Sequence, residues 1–506
     1  MATSSCVVRA ATLRGVSAVP VDVEVCISAG MPGFSIVGMG DASVQESRER
    51  VRAALRACGF TMPNHKVVVN LAPGALRKTG SGFDLPIAVG LLCATAQINP
   101  RIADGYLFAG ELSLKGAVRP VPGLLAYALC AKRMGLALVS ALEEGACEVE
   151  GLDRLCVESL CDLRKGEFGR LCMPAGEQVT LEKDFRDIAG HDMAKRAFQI
   201  AAAGGHGMLM MGPPGSGKTM LASRLPSILP PLSRAEALET AVIHSVAGED
   251  VTAELSGVRP FCAPHHSASL AGHHTLSCAS MAGGGKNPRP GEISLAHNGV
   301  LFLDELPEFA PSVLQGIRQP MEAGEVVVTR ADGSVRFPAR FMLVAAANPC
   351  PCGYFGDKQR ACTCSQRMIS TYQGRIGGPV LDRIDVHIDV ARINPGQVLA
   401  TGHGTSSAQL REGVMVAREY SSWRRANTGL DERGASTEPL VRACCLNDAD
   451  AAFFESLATK SHMSGRAIMR TLALARTIAD MEQAPAVGHD HICEAVGFRV
   501  REGGAQ

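Results

Sequence analysis

Gly212-Pro213-Pro214-Gly215-Ser216-Gly217-Lys218-Thr219 has the spacing G-x-x-x-x-G-K-[ST], and its flanks decide what that spacing means. The apolar run Met208-Leu209-Met210-Met211 before it predicts a buried strand, and Met220 to Leu225 after it suits the start of a helix. In such a strand–turn–helix, the glycines let backbone N–H groups close round phosphate oxygens with no Cβ in the way. The helix N-terminus adds partial positive charge there. Lys218 is expected to reach the β and γ phosphates of ATP, and the Thr219 hydroxyl to meet Mg²⁺.

A second segment supplies the expected partner. Val300-Leu301-Phe302-Leu303 is continuously apolar, as a strand buried on both faces of a parallel sheet should be, and it ends in Asp304-Glu305. Asp304 would hold Mg²⁺ and Glu305 would polarise the attacking water. Phe341 to Ala347 predicts another buried strand, ending at Asn348-Pro349. The fold class is therefore α/β, with a P-loop parallel sheet at its centre.

The chain has 506 residues, which predicts about three domains at roughly 150 residues each. Lys plus Arg and Asp plus Glu both number 50, so a basic surface for nucleic acid has to be local rather than global. The 18 cysteines are scattered singly or in close pairs with no N-terminal secretory pattern, which predicts reduced thiols in a cytoplasmic protein. The run Leu85 to Ile98 is broken by Pro86 and polar residues and falls short of the roughly 20 residues of a membrane span.

Residues 1–172 alternate β-rich runs, Val19 to Ile27 and Lys66 to Asn70, with helices expected near Ser43–Cys58, Asp84–Ala96 and Gly123–Met134. Arg48, Arg50, Arg52 and Arg56 on the first helix read as a solvated face. Gly110 to Leu124 resembles the corresponding strand–turn–helix of the Lon protease domain. The dyad of that family does not carry over: its lysine falls on Leu125 and its serine on Gly82, with Ser81 one place off. A lone serine without a base is a poor nucleophile, so a Lon-like α+β fold without the protease is expected.

Residues 173–183 turn polar and read as a linker to a core at 184–395, followed by a helical lid at 396–506. The stretch Asp187-Ile188-Ala189-Gly190-His191 resembles the segment of AAA+ ATPases that packs on adenine, which places Ile188 and Gly190 at the base. Asn348 resembles sensor 1, with an Asn-Pro turn as its other reading. Arg383 in Leu381-Asp382-Arg383-Ile384-Asp385 resembles the arginine finger supplied to a neighbouring subunit's γ-phosphate, with Arg375 as a rival. Ser464 is a suitable N-cap for a helix with Ile468, Leu472, Ala475 and Ala479 at helical spacing. Arg466 in its first turn resembles sensor 2.

Further segments narrow the resemblance. Ala263 to Ser269, Pro288 to His297, the expected hairpin from Glu325 to Pro338 with a turn at Asp332-Gly333, Gly30 to Gly38 and Asn70 to Gly74 together resemble the magnesium-chelatase-like branch of AAA+ proteins, the YifB/ComM family. The resemblance covers nearly the whole chain. It implies a hexameric, ATP-driven DNA helicase that promotes branch migration when transformed DNA is integrated into a bacterial chromosome. In a ring the hairpin can project toward the channel, where Arg330 and Arg336, with Lys286 and Arg289 on the preceding loop, would meet DNA phosphates; an ordinary exposed hairpin is the competing reading. A metal-inserting chelatase subunit and a protein-remodelling ATPase are the alternative functions.

Cys350-Pro351-Cys352 and Cys362-Thr363-Cys364 could bring four thiolates round Zn²⁺, although the spacing within each pair is tighter than usual. Reduced structural thiols and a disulfide are the other options. His265, His266, His273 and His274 read as loop or subunit-contact residues.

Overall fold

Alternating burial along two long strands builds the first sheet of the computed structural model, which describes residues 4–142, 149–166, 168–171, 183–265, 289–330, 333–357, 359–376, 378–393, 396, 404–431 and 437–499. Strand β1 (Ser4–Arg14) pairs antiparallel with β2 (Ser17–Ser28) over its whole length, from Ser4 opposite Ile27 to Arg14 opposite Ser17. Around this hairpin lie β3 (Gly33–Val37), β4 (Lys66–Ala72), β5 (Tyr106–Ala109), β8 (Ala137–Ser140), β9 (Arg154–Cys156) and β10 (Gly169–Arg170). Their order is β10-β9-β8-β5-β1-β2-β4-β3. A small ribbon of β6 (Glu111–Leu112) and β7 (Val118–Arg119) stands apart.

The helix Asp84–Ala94 is buried at every position and packs against β1 and β2. The helix Ala42–Ala57 turns Val44, Val51, Ala54 and Leu55 inward, as its spacing predicted. Its arginines are not all solvated, however. Arg50 makes a two-pronged bond to the fully buried Asp84, at 2.6 and 3.0 Å, because a buried carboxylate requires a paired cation. Burial pushes the Asp84 carboxyl up and Arg50 opposes that shift.

The second sheet is parallel throughout, in the order β12-β13-β16-β11-β17: β12 (Phe261–Cys262), β13 (Val300–Leu303), β16 (Met342–Ala347), β11 (Met208–Met211) and β17 (Val386–Asp389). Both faces are covered, which is why β11, β13 and β16 are apolar at every position. Met208 and Met210 face one core, with the helices Asp192–Gly204, Ser407–Thr428 and Gly465–Met481. Leu209 and Met211 face the other, with Val313, Leu314 and Ile317 of the helix Pro311–Ala323. This is a mixed α/β protein with a parallel-sheet core, and among the described residues no helix is long and apolar enough to cross a membrane.

The two sheets meet through the helix Leu124–Met134, which packs with β2 and β8 on one side and with the helix Arg234–Ala247 on the other. The Gly123 amide donates to the Ser245 carbonyl at 2.7 Å across this contact. A two-stranded ribbon, β14 (Glu325–Arg330) with β15 (Gly333–Pro338), forms the expected hairpin pair, antiparallel with Arg330 opposite Gly333. Of the expected turn Asp332-Gly333, Asp332 lies outside the described residues and Gly333 is the first residue of β15. The ribbon's root is fixed by buried Val326 and Phe337, and its Val335 closes on Gly15 at the β1–β2 turn.

In the C-terminal helices Asp480 sits between two buried cations. It accepts from Arg424 at 3.0 Å through both oxygens and from Arg476 Nε at 3.2 Å, with Arg476 Nη2 3.0 Å away, and all three residues are at most 4% exposed. Removing the carboxylate would leave uncompensated charge out of water, so Asp480→Ala should destabilise this region by about 3–5 kcal/mol. Chemical denaturation followed by helical circular dichroism checks this value.

Candidate nucleotide site

The parallel order places β16 between β11 and β13, so loops leaving the carboxyl ends of three adjacent strands converge. The P-loop leaves β11, and the helix Lys218–Ala222 follows it at once. Gly215 and Gly217 have φ of 76° and 87°, a left-handed backbone that favours glycine. Lys218 is buried, and its three ammonium donors are all used: Gly212 O at 2.7 Å, Pro213 O at 3.0 Å and Asn348 Oδ1 at 3.2 Å. Burial pushes the Lys218 ammonium down, while Asp304 and Glu305 pull it back up. A buried cation ringed by neutral carbonyl oxygens is short of negative charge, which is the deficit a phosphate group fills.

Thr219 Oγ1 donates to Asp304 Oδ2 at 2.7 Å, bringing together the hydroxyl and carboxylate that suit a hard divalent cation. These residues fit Mg²⁺. The Glu305 amide donates to Asp304 Oδ1 at 2.9 Å. Glu305 itself is exposed and has φ of 51°, a left-handed conformation uncommon for glutamate; such strain concentrates at functional sites.

The segment expected at adenine also reaches the P-loop. Gly190 is left-handed with φ of 61°, Ile188 is buried, and Lys195 donates to the Ile188 carbonyl at 2.6 Å. The adjacent His191 brings its Nε2 within 3.7 Å of where a Cβ on Gly217 would lie, and Nε2 is buried with no hydrogen-bond partner among the described residues. Burial, reinforced by Lys195, pushes the His191 imidazole down. Sequence reasoning passed over His191 as a site residue; its place directly after Ile188-Ala189-Gly190 was the available signal.

The arginines stand elsewhere. Asp385 and Val386 donate to the Gly207 carbonyl at 3.0 and 2.9 Å, which sets the Arg383 segment at the start of β11, whereas the P-loop leaves its end. Four residues of strand separate the two ends by about 13 Å, at roughly 3.3 Å per residue. Arg383 bonds Glu322 through Nε at 2.9 Å and Nη2 at 2.5 Å. The rival Arg375 lies 3.7 Å from Glu308, just beyond Glu305. Ser464 caps its helix as expected, accepting from the Ala467 amide at 3.2 Å, and Arg466 in the first turn is exposed. One turn on, Arg470 bonds Asp385 and the Arg383 carbonyl, so this part of the helix is pinned at the amino-terminal end of the strands, opposite the end that the P-loop leaves. Despite burial, His206 and Arg470 hold the Asp385 carboxyl down to about 2.

The four cysteines converge. Their Sγ atoms all lie within 4.8 Å of one another, and Cys350, Cys352 and Cys362 are separated by 3.3, 3.7 and 3.6 Å. Among the described residues no disulfide joins any of the four. Of the cations expected at DNA, Arg336 is exposed and bonds Glu325 across the ribbon at 2.9 Å, and Arg289 is exposed. Lys286, like His266, His273 and His274, lies outside the described residues. In the first sheet, Leu125 is buried and Gly82 faces the Tyr127 hydroxyl. Ser81 Oγ bonds Glu111, and Lys78 turns its amine to the Pro73 carbonyl.

Three family descriptions match the chain: "Magnesium chelatase, subunit ChlI" over residues 184–398, "Subunit ChlI of Mg-chelatase" over 23–141 and "Magnesium chelatase, subunit ChlI C-terminal" over 404–499. The "Uncharacterized protein YifB" of Salmonella typhimurium is 41% identical, covering 98% of this chain and 97% of the relative. The "Competence protein ComM" of Haemophilus influenzae is 40% identical with the same coverage of both. The "Magnesium-chelatase 38 kDa subunit" of Cereibacter sphaeroides is 27% identical over 33% of this chain and 52% of its own length.

Proposed function

Since the chain belongs to the magnesium-chelatase-like YifB/ComM family of AAA+ ATPases, we propose that it is a ring-forming motor, a hexamer in the favoured reading, that hydrolyses ATP to move DNA strands in recombination or transformation. The observation that carries this reading is the convergence of Lys218, Thr219, Asp304 and Asn348 within hydrogen-bond reach. Lys218 binds phosphate, Asn348 orients the lytic water and Glu305 takes its proton. Thr219 and Asp304 hold Mg²⁺, which when bound neutralises charge developing on the phosphates. Ile188 and Gly190 pack on the base.

The γ-phosphate of one subunit receives Arg383 from the next. Arg383 lies at the opposite end of β11 from its own P-loop, which supports a role across a subunit boundary rather than within one chain. Arg466 stands on a helix pinned to that same end and is assigned to the same boundary. Arg383→Ala should therefore slow turnover by roughly 10³–10⁵ while ATP binding persists, a loss read by steady-state phosphate release at a concentration where the ring is assembled.

Arg330 and Arg336, with Lys286 and Arg289, are assigned to DNA phosphates, giving contacts that are sequence-independent and weaken with salt. The first sheet is assigned a Lon-like scaffold without peptidase chemistry: Ser81 donates to Glu111 rather than to a lysine, and the nearby Lys78 turns its amine to the Pro73 carbonyl. The relative named a competence protein supports DNA as the track. Measuring ATP hydrolysis with and without single-stranded, forked and four-way-junction DNA tests the reading. Stimulation by DNA with strand displacement is expected; stimulation only by a protein substrate would turn it toward protein remodelling.

A further inference from the structure

We propose that Cys350, Cys352, Cys362 and Cys364 form a zinc site that braces the P-loop. Four thiolates round one Zn²⁺ with Zn–S near 2.3 Å require sulfurs about 3.8 Å apart in a tetrahedron. Three of the separations, 3.3, 3.6 and 3.7 Å, are close to that, and the whole set lies within 4.8 Å. A disulfide needs about 2.05 Å, and none of these pairs approaches it. Two backbone amides point at the sulfurs: Phe355 N to Cys350 Sγ and Cys364 N to Cys362 Sγ, each at 3.4 Å. Amides so placed stabilise thiolate charge and orient the ligands.

The loop carrying this tetrad meets the nucleotide site at two points, both near its first pair of cysteines. Cys350 is buried two residues after Asn348, whose Oδ1 accepts from Lys218, and Gln373 Nε2 holds the intervening Pro349 carbonyl at 3.0 Å. Gly353, one residue past Cys352, has φ of 84° and lies directly on the P-loop: a Cβ there would come within 2.5 Å of Pro214 Cδ. The Tyr354 ring is covered by Arg360 of the same loop at 4.1 Å, and Arg392, just beyond β17, stands over it at 5.4 Å, which ties the loop to the core. Zinc would thus tie the segment that contacts Asn348 and Pro214 to the second cysteine pair. The metal site stands on the sulfur geometry alone; only its effect on turnover rests on the ATPase reading.

Metal analysis of the full chain purified under reducing conditions tests the site independently of activity. About one zinc per chain is expected, lost in Cys352→Ser and in Cys364→Ser. Cobalt exchanged into the wild-type protein should show tetrahedral d–d bands and thiolate charge transfer. A folded wild-type chain with four freely titrating thiols and no metal overturns the proposal, as does iron in place of zinc. Gly353→Val keeps all four sulfurs, so it should keep the metal while weakening ATP binding by roughly tenfold or more. Unchanged ATP affinity in that variant would overturn the brace while leaving the metal site standing.

Discussion

Glu305→Gln is expected to hold ATP without turning it over. The side chain keeps its size, and its backbone stays in the left-handed conformation that the Glu305 amide bond to Asp304 supports. Lys218, Thr219 and Asp304 are untouched, so affinity for Mg²⁺-ATP should match the wild type. What disappears is a carboxylate able to accept the proton of the attacking water, and general-base catalysis contributes about 10²–10⁴ in rate. Single-turnover hydrolysis measured beside equilibrium binding of a fluorescent ATP analogue separates the two quantities. Wild-type turnover in this variant would remove Glu305 from the chemistry.

Lys218→Ala is expected to fail one step earlier, at binding. The ammonium is buried and collects Gly212 O, Pro213 O and Asn348 Oδ1, so truncation removes the phosphate's cation and leaves those acceptors facing each other. Losing one partner of a buried, hydrogen-bonded charge pair costs about 2–5 kcal/mol, or roughly 30- to 4000-fold in affinity. Equilibrium titration with the same analogue reads this directly. The contrast between the variants is diagnostic, since one loses the nucleotide and the other keeps it idle.

The buried strands of the core were legible because a strand covered on both faces must be apolar at each position, and Met208–Met211, Val300–Leu303 and Met342–Ala347 are. The P-loop, Asp304 and Asn348 follow from those strands, since each lies at a strand's carboxyl end. Contacts between residues distant in sequence were not legible. Nothing local to Arg50 points to Asp84, and its neighbouring arginines made a solvated face the natural reading. The Arg424–Asp480 pair is hidden for the same reason, because its members lie on different helices. Gly353 gave no sign that it rests on Pro214, since the close approach arises only when the cysteine loop folds back over the P-loop. Which end of the sheet Arg383 occupies was likewise settled by strand direction rather than by its motif.

Mixing two inactive variants asks whether a second copy of the chain completes the nucleotide site. Glu305→Gln supplies Arg383 but no base, and Arg383→Ala supplies the base but no arginine. If the site spans a subunit boundary, random co-assembly restores about a quarter of the interfaces, and ATP hydrolysis should reappear on mixing. No recovery in mixtures shown to co-assemble, or an Arg383→Ala protein that hydrolyses ATP at the wild-type rate alone, would mean that no second copy completes the site.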